Sequence, residues 1–177
     1  MRIISFDVGL KNLAYCIIDN KSIDKWENLC IPYDKKQSLE ITVENLLTSL
    51  SETFGDVHAD TVLIENQPRI NGLMKTISVA IYTFFNMLKI MHGSVVSVRF
   101  ISAQNKLKCK HASSVVDQST YKSTYKERKK AAIEITRKYL STVFAGCQKQ
   151  EWFEGQRKKD DLSDCFLQAM FWMETRA

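Results

Sequence analysis

RIISFDVGLKNLAYCIID, residues 2–19, sets two short β-rich runs on either side of a glycine. Ile3 to Phe6 favour an extended chain, Gly9 breaks the run, and Asn12 to Asp19 resume it. GLKN between them therefore reads as a hairpin connection. One acid, Asp7, stands where the first run has just passed through an apolar interior. Outward from this pair, Lys21 to Cys30 reads as a third strand that Pro32 ends. From Ser38 to Phe54 the apolar positions 39, 43, 46, 47 and 50 follow helical spacing. Thr61 to Glu65 (TVLIE) is a short apolar strand stopped by NQP. Ile70 to Met91 reads as a long helix and Ser94 to Ile101 as a strand. Residues 106–124 have no periodicity and many small polar side chains, so that stretch reads as a mobile loop. Helices are expected over Tyr125–Phe144 and Asp161–Glu174.

A meander followed by alternating helix and strand implies one α/β domain over residues 1–177. The expected sheet has five strands: a three-strand antiparallel meander plus two parallel strands, mixed overall and flanked by helices. The first strand sits centrally in the layout that fits.

Composition narrows the partners. The chain has 177 residues, 45% of them hydrophobic, enough for one domain with a substantial core. The opening MRIISFDVG has too short an apolar run for a secretory leader. The most apolar region, Ile77 to Met91, is interrupted by Ser78, Thr83, Asn86 and Lys89, so no membrane span is expected. Five cysteines without a CxxC pair point to reduced thiols in an intracellular compartment and away from zinc. The net charge is +5, but Gln104 to Lys159 holds 14 Lys and Arg against 5 Asp and Glu. The remainder holds 11 against 15. A basic region of that size on a mildly acidic chain suits a polyanion partner; a solvated lysine-rich helix face is the plainer alternative.

Four acids interrupt the apolar elements. Asp7 ends the first strand and Glu65 ends TVLI. Asp161 and Asp164 lie three residues apart on the last helix, on one face with Gln168 just beside the apolar Leu162, Phe166, Ala169 and Met173. Singly, each has an ordinary structural role available, as turn residue, solvated strand end or helix-dipole partner, and Asp160 reads as the helix N-cap. If the four converge, two carboxylates about 4 Å apart repel by ~4 kcal/mol at an effective dielectric of about 20. Such a cluster takes up protons or binds a hard cation, and an all-oxygen set suits Mg²⁺ or Mn²⁺. Two such ions activate water and stabilise a leaving oxygen in phosphodiester hydrolysis, a chemistry that matches the basic region.

FDVGLKNLAYCIID (6–19), VLIENQP (62–68), YKERKKAAIEI (125–135) and KKDDLSDCFLQA (158–169) occur in that order. Their order and spacing resemble the RuvC-type Holliday junction resolvases of the RNase H-like superfamily, nearest the branch with the poxvirus and yeast mitochondrial enzymes. The resemblance implies a homodimer that makes paired, Mg²⁺-dependent incisions in four-way junction DNA, with two ions per active site and Mn²⁺ able to substitute. It implies Asp7, Glu65, Asp161 and Asp164 as catalytic metal ligands. It also implies a basic residue of YKERKK beside the scissile phosphate, Lys129 or Lys130, which point about 100° apart on a helix. Lys122, Lys126, Arg128, Arg157 and Lys158 are the expected phosphate contacts, since no helix-turn-helix or zinc finger is present to read bases.

Between Ile77 and Leu88 the long helix is apolar nearly all round, so one face is expected to cover the sheet and the other a second subunit. Ile77, Ile81, Phe84, Phe85 and Leu88 are the expected interface. Trp152 and Phe153 are expected to pack in the core. A viral protein of this kind would act in host cytoplasm or nucleus where DNA is replicated. The alternatives are an RNase H-like nuclease for RNA–DNA hybrids or other branched DNA, and a silent junction-binding module. A sugar-kinase-like nucleotide binder also begins with a strand and DxG, but needs two such domains. With six glycines and 177 residues, no nucleotide cofactor is expected.

Overall fold

The computed structural model describes residues 1–68, 70–114 and 124–176. Five strands, β1 (Arg2–Asp7), β2 (Asn12–Asp19), β3 (Ser22–Cys30), β4 (Ala59–Glu65) and β5 (Val95–Ile101), form one sheet. Their order is β3-β2-β1-β4-β5, so the first strand is central. β1 pairs antiparallel with β2 and parallel with β4. The remaining pairs are β2–β3, antiparallel, and β4–β5, parallel. Gly9 is needed at the β1–β2 connection: a Cβ there would lie 2.4 Å from the carbonyl oxygen of Asn12.

The period-two pleat divides the core into two layers. Ile4, Phe6, Leu13, Tyr15 and Ile17 point to one face, under α1 (Leu39–Phe54) and α2 (Gly72–His92). Phe6, Tyr15, Phe54 and Phe85 make the aromatic centre of that layer, with edge contacts of 5.3 Å between Phe6 and Phe54 and 4.9 Å between Tyr15 and Phe54. Ile3, Ala14, Cys16 and Ile18 point the other way, to α3 (Tyr125–Thr142), α4 (Lys149–Glu154) and α5 (Lys159–Glu174). Phe153 is buried with its ring stacked on Trp26 at 5.0 Å, and Trp152 packs beside it. α4, which carries this pair, has no counterpart among the elements expected from sequence; six residues are too few to show a helical period.

Three expectations are corrected. Of the stretch read as a mobile loop, residues 106–114 run through two 3-10 helices, Ala103–Lys108 and Lys110–Ser114, where Leu107, Cys109 and Ala112 are buried against α3 and α5; residues 115–123 lie outside the described residues. Asp160 is not the N-cap of α5. The helix opens at Lys159 after Lys158, which makes no side-chain cap, and Asp160 lies in the first turn. The α2 residues expected to face a partner are mostly buried within the chain itself. Ile77, Ile81, Phe85 and Leu88 are buried in their own chain's core, and of the five named only Phe84 keeps exposed surface. The apolar residues left outside are Val79, Met87, Ile90 and Met91, which with Thr83 follow helical spacing on the opposite side. By length and composition alone α2 could cross a membrane. One side of it, Ile77, Ile81, Phe85 and Leu88, packs on the sheet.

Candidate active site

Asp7 and Glu65 are the last residues of two adjacent parallel strands, so both emerge at the same end of the sheet. The pleat sends them to the α5 side with Ile3 and Leu63. Asp161 and Asp164 meet them from the first turns of α5, where the positive end of the helix dipole favours carboxylates. Three ties set the height of α5 over the sheet. Gln168 Nε2 donates to Ser5 Oγ at 3.0 Å and to the Phe6 carbonyl at 3.2 Å, one residue before Asp7. Trp26 Nε1 donates to the Leu162 carbonyl at 3.0 Å, and Cys16 Sγ to that of Cys165 at 3.4 Å. The pins fall on either side of Asp164 and hold it in register with Asp7.

A residue that sequence reasoning missed stands among the acids. Lys106, in the first 3-10 helix, places Nζ 3.1 Å from Asp7 Oδ1, 3.1 Å from Glu65 Oε1 and 2.8 Å from Asp164 Oδ2. Its side chain is only 8% exposed. The one available signal was the spacing of Leu107, Cys109 and Ala112, which marks the segment as packed rather than loose. Gln67 Nε2 donates to the second oxygen of Glu65 at 3.2 Å.

Lys129 serves the outer acids. Its Nζ bonds Asp160, lies 3.8 Å from Asp161, and sits 4.9 Å from the centre of the Tyr125 ring. Lys130, one position on, is exposed and does not line the cleft, so of the two expected candidates only Lys129 faces the acids.

One ammonium cannot answer three carboxylates, and proton affinities show it. Burial pushes Asp7 up to about 7, with Glu65 adding to the rise and Lys106 opposing it. Burial likewise lifts Asp164 to about 6 against the pull of Lys106. Asp161 is raised by burial and by the neighbouring Asp160 and Asp7. For Lys106, burial works to lower its proton affinity, but Asp7, Asp164 and Glu65 together outweigh it and hold the ammonium charged. Asp160, although burial raises it, is brought below its ordinary value by Lys129.

The four acids open into a cleft of about 890 Å³ whose rim carries Tyr125, Arg128, Lys129 and Lys108. Lys126 is exposed in the first turn of α3, and Arg157 and Lys158 are exposed just before α5. Lys122 lies outside the described residues. Among the described residues no three His, Cys, Asp or Glu side chains form a ready ligand shell, because the Lys106 ammonium occupies the space between the carboxylates. The donor set itself is all-oxygen and anionic, which fits a hard divalent cation.

The match to the poxvirus A22 protein family runs over residues 1–176. The chain belongs to that family. An uncharacterized protein of Acanthamoeba polyphaga mimivirus is 29% identical over 144 residues, covering 77% of this chain and 34% of that protein. This A22-family chain thus spans about a third of the length of that relative. Among solved structures, the yeast mitochondrial Holliday junction resolvase Ydc2 is similar over 97% of this chain and 78% of its own, with a TM-score of 0.61 at 19% identity. The fowlpox virus resolvase, solved with substrate Holliday junction DNA, is similar over 98% and 99%, with a TM-score of 0.60 at 21% identity. The five-strand mixed sheet flanked by helices is the fold of these resolvases.

Proposed function

We propose that the protein is a structure-specific endodeoxyribonuclease that resolves four-way DNA junctions by paired incisions. The observation that carries this reading is the meeting of Asp7, Glu65, Asp161 and Asp164 in one basic-rimmed cleft, from three separate elements. The family and the likeness to solved resolvases support it.

The four carboxylates would hold divalent metal, two Mg²⁺ with Mn²⁺ able to replace them. When bound, the metal polarises the phosphodiester and makes water nucleophilic at neutral pH. The chain's own residues do the rest. Asp7 and Asp164 would hold the metal as deprotonated carboxylates, releasing the protons that burial favours. Lys129, held by Asp160 and Tyr125, lies where it can meet charge developing on the phosphate. Lys126, Arg128, Arg157 and Lys158 bind the DNA backbone and read shape, not sequence.

Two cuts placed symmetrically need two sites in one assembly, so the working unit is a homodimer. The stripe Val79, Met87, Ile90 and Met91 is its seam, continued by Phe100 of β5, which stacks on Tyr82 at 5.0 Å.

The test is cleavage of an end-labelled four-way junction with Mg²⁺, beside linear duplex and an RNA–DNA hybrid. Symmetric, ligatable nicks in the junction alone, lost in Asp161→Asn, are the expected result. Degradation of the hybrid instead would move the same metal site to a ribonuclease.

A further inference from the structure

We infer that Lys106 is a resident counter-cation of the acid cluster, ion-paired with Asp7, Glu65 and Asp164, and that it swings out of the cluster when divalent metal enters. The inference rests on the metal-dependent reading above and adds an event that reading does not contain.

Lys106 Nζ has three carboxylates, from three different elements, within 3.1 Å, and donates a hydrogen bond to Asp7. That is the coordination of a small cation, not of a single ion pair. The fourth acid, Asp161, is answered separately by Lys129 at 3.8 Å. In the metal-free protein the chain therefore offsets part of the cluster's charge with two lysines. Without them, carboxylates from β1, β4 and α5 would repel across the joint that holds the helix to the sheet.

The same arrangement excludes metal. Nζ stands 2.8–3.1 Å from the oxygens that a Mg²⁺ ligand shell would draw to roughly 2.0–2.1 Å. Ammonium and metal cannot share that centre, since both need the same lone pairs and repel each other. Departure would be a swing of the side chain into the cleft that Lys106 lines. The 3-10 helix is held by Leu107 and Cys109 in the core and by Ser102, whose Oγ accepts from Gln104 N at 3.4 Å, while the four-carbon stem of Lys106 faces the open cleft. Metal loading thus exchanges one cation for another on an unchanged scaffold and delivers a tethered ammonium to the cleft.

The test uses the full chain without DNA. Lysine reactivity toward an amine-acylating reagent is mapped by peptide mass spectrometry across a Mg²⁺ titration, with binding followed in parallel by calorimetry. Lys106 should be protected in EDTA and become severalfold more reactive as Mg²⁺ saturates, while the exposed Lys25 of β3 stays constant. In Lys106→Met, Mg²⁺ should bind more tightly and raise the melting temperature by more than in the parent chain. Calorimetric binding with Lys106 still protected would overturn the exchange and leave the proposed function intact. Absence of Mg²⁺ binding in both chains would instead remove the metal centre, and the exchange with it.

Discussion

Asp7 combines the features that matter at the scale of one residue. It ends a buried strand, it touches Lys106, and burial raises its proton affinity far above the ordinary carboxylate value of 3.8. A raised acid makes the folded chain hold a proton that the unfolded chain releases. Its contribution to stability is full below about pH 4 and disappears as pH rises through about 7. Asp164 behaves alike, with its loss complete near pH 6 to 7. In EDTA the melting temperature should therefore decline from pH 4 to 7, and Asp7→Asn should flatten that decline. Mg²⁺ competes with the same protons, so the stabilisation it gives should grow over that interval; Mg²⁺ stabilisation independent of pH would disconnect these carboxyls from the metal. In cleavage assays Asp7→Asn should lose incision while junction binding persists, since the substitution removes a ligand and no phosphate contact.

At the scale of the element, α5 decides the site. The helix carries two of the four acids, and its position is set by contacts made through its buried face, not by its cap. Gln168→Met keeps the length of the side chain and removes both donations to β1. The cost in stability should be about 1–3 kcal/mol, because the buried Ser5 hydroxyl loses its partner, offset in part by removal of the unpartnered Gln168 oxygen. Cleavage should fall more than binding, because Asp164 loses its register with Asp7. Equal losses in denaturant melts and in both DNA assays would make Gln168 a packing residue only. α3 is set differently. Thr124 and Glu127 form a reciprocal capping box at its start, which fixes Tyr125, Arg128 and Lys129 along the rim of the cleft.

At the scale of the whole molecule, two surfaces remain to be occupied. The stripe on α2 should hold a second copy. Met87→Asp and Ile90→Asp lie outside the core, so they should leave the fold intact and shift the chain to monomer in sedimentation, with single nicks replacing paired ones. Unchanged mass would place the seam elsewhere. The basic rim should hold the DNA backbone. Neutralising Lys126 with Arg128 should reduce the slope of log affinity against log salt by roughly one for each phosphate that the pair no longer neutralises. A constant slope would put those charges away from the DNA.

The extent of the strands, the hairpin at Gly9 and the four acids were legible because each is encoded within a few residues: apolar alternation, a breaker, or an acid ending a run. The pairing of β1 with β4, which brings Asp7 beside Glu65, joins residues 58 positions apart and has no local signature; it was reached through the order of the motifs and through topology rules. Other features belonged to tertiary structure alone. Which stripe of α2 faces the sheet could not be read from a helix apolar on nearly every side, because the choice depends on the surface it meets. Asp160 looked like a cap until Lys129 arrived from another helix to claim it. Lys106 had no signal of its own. A lone lysine in an aperiodic stretch becomes part of the site only when the chain folds back and sets three carboxylates around it. The local alphabet thus determined the elements and the acids, and the three-dimensional meeting of distant charges decided how those acids are neutralised.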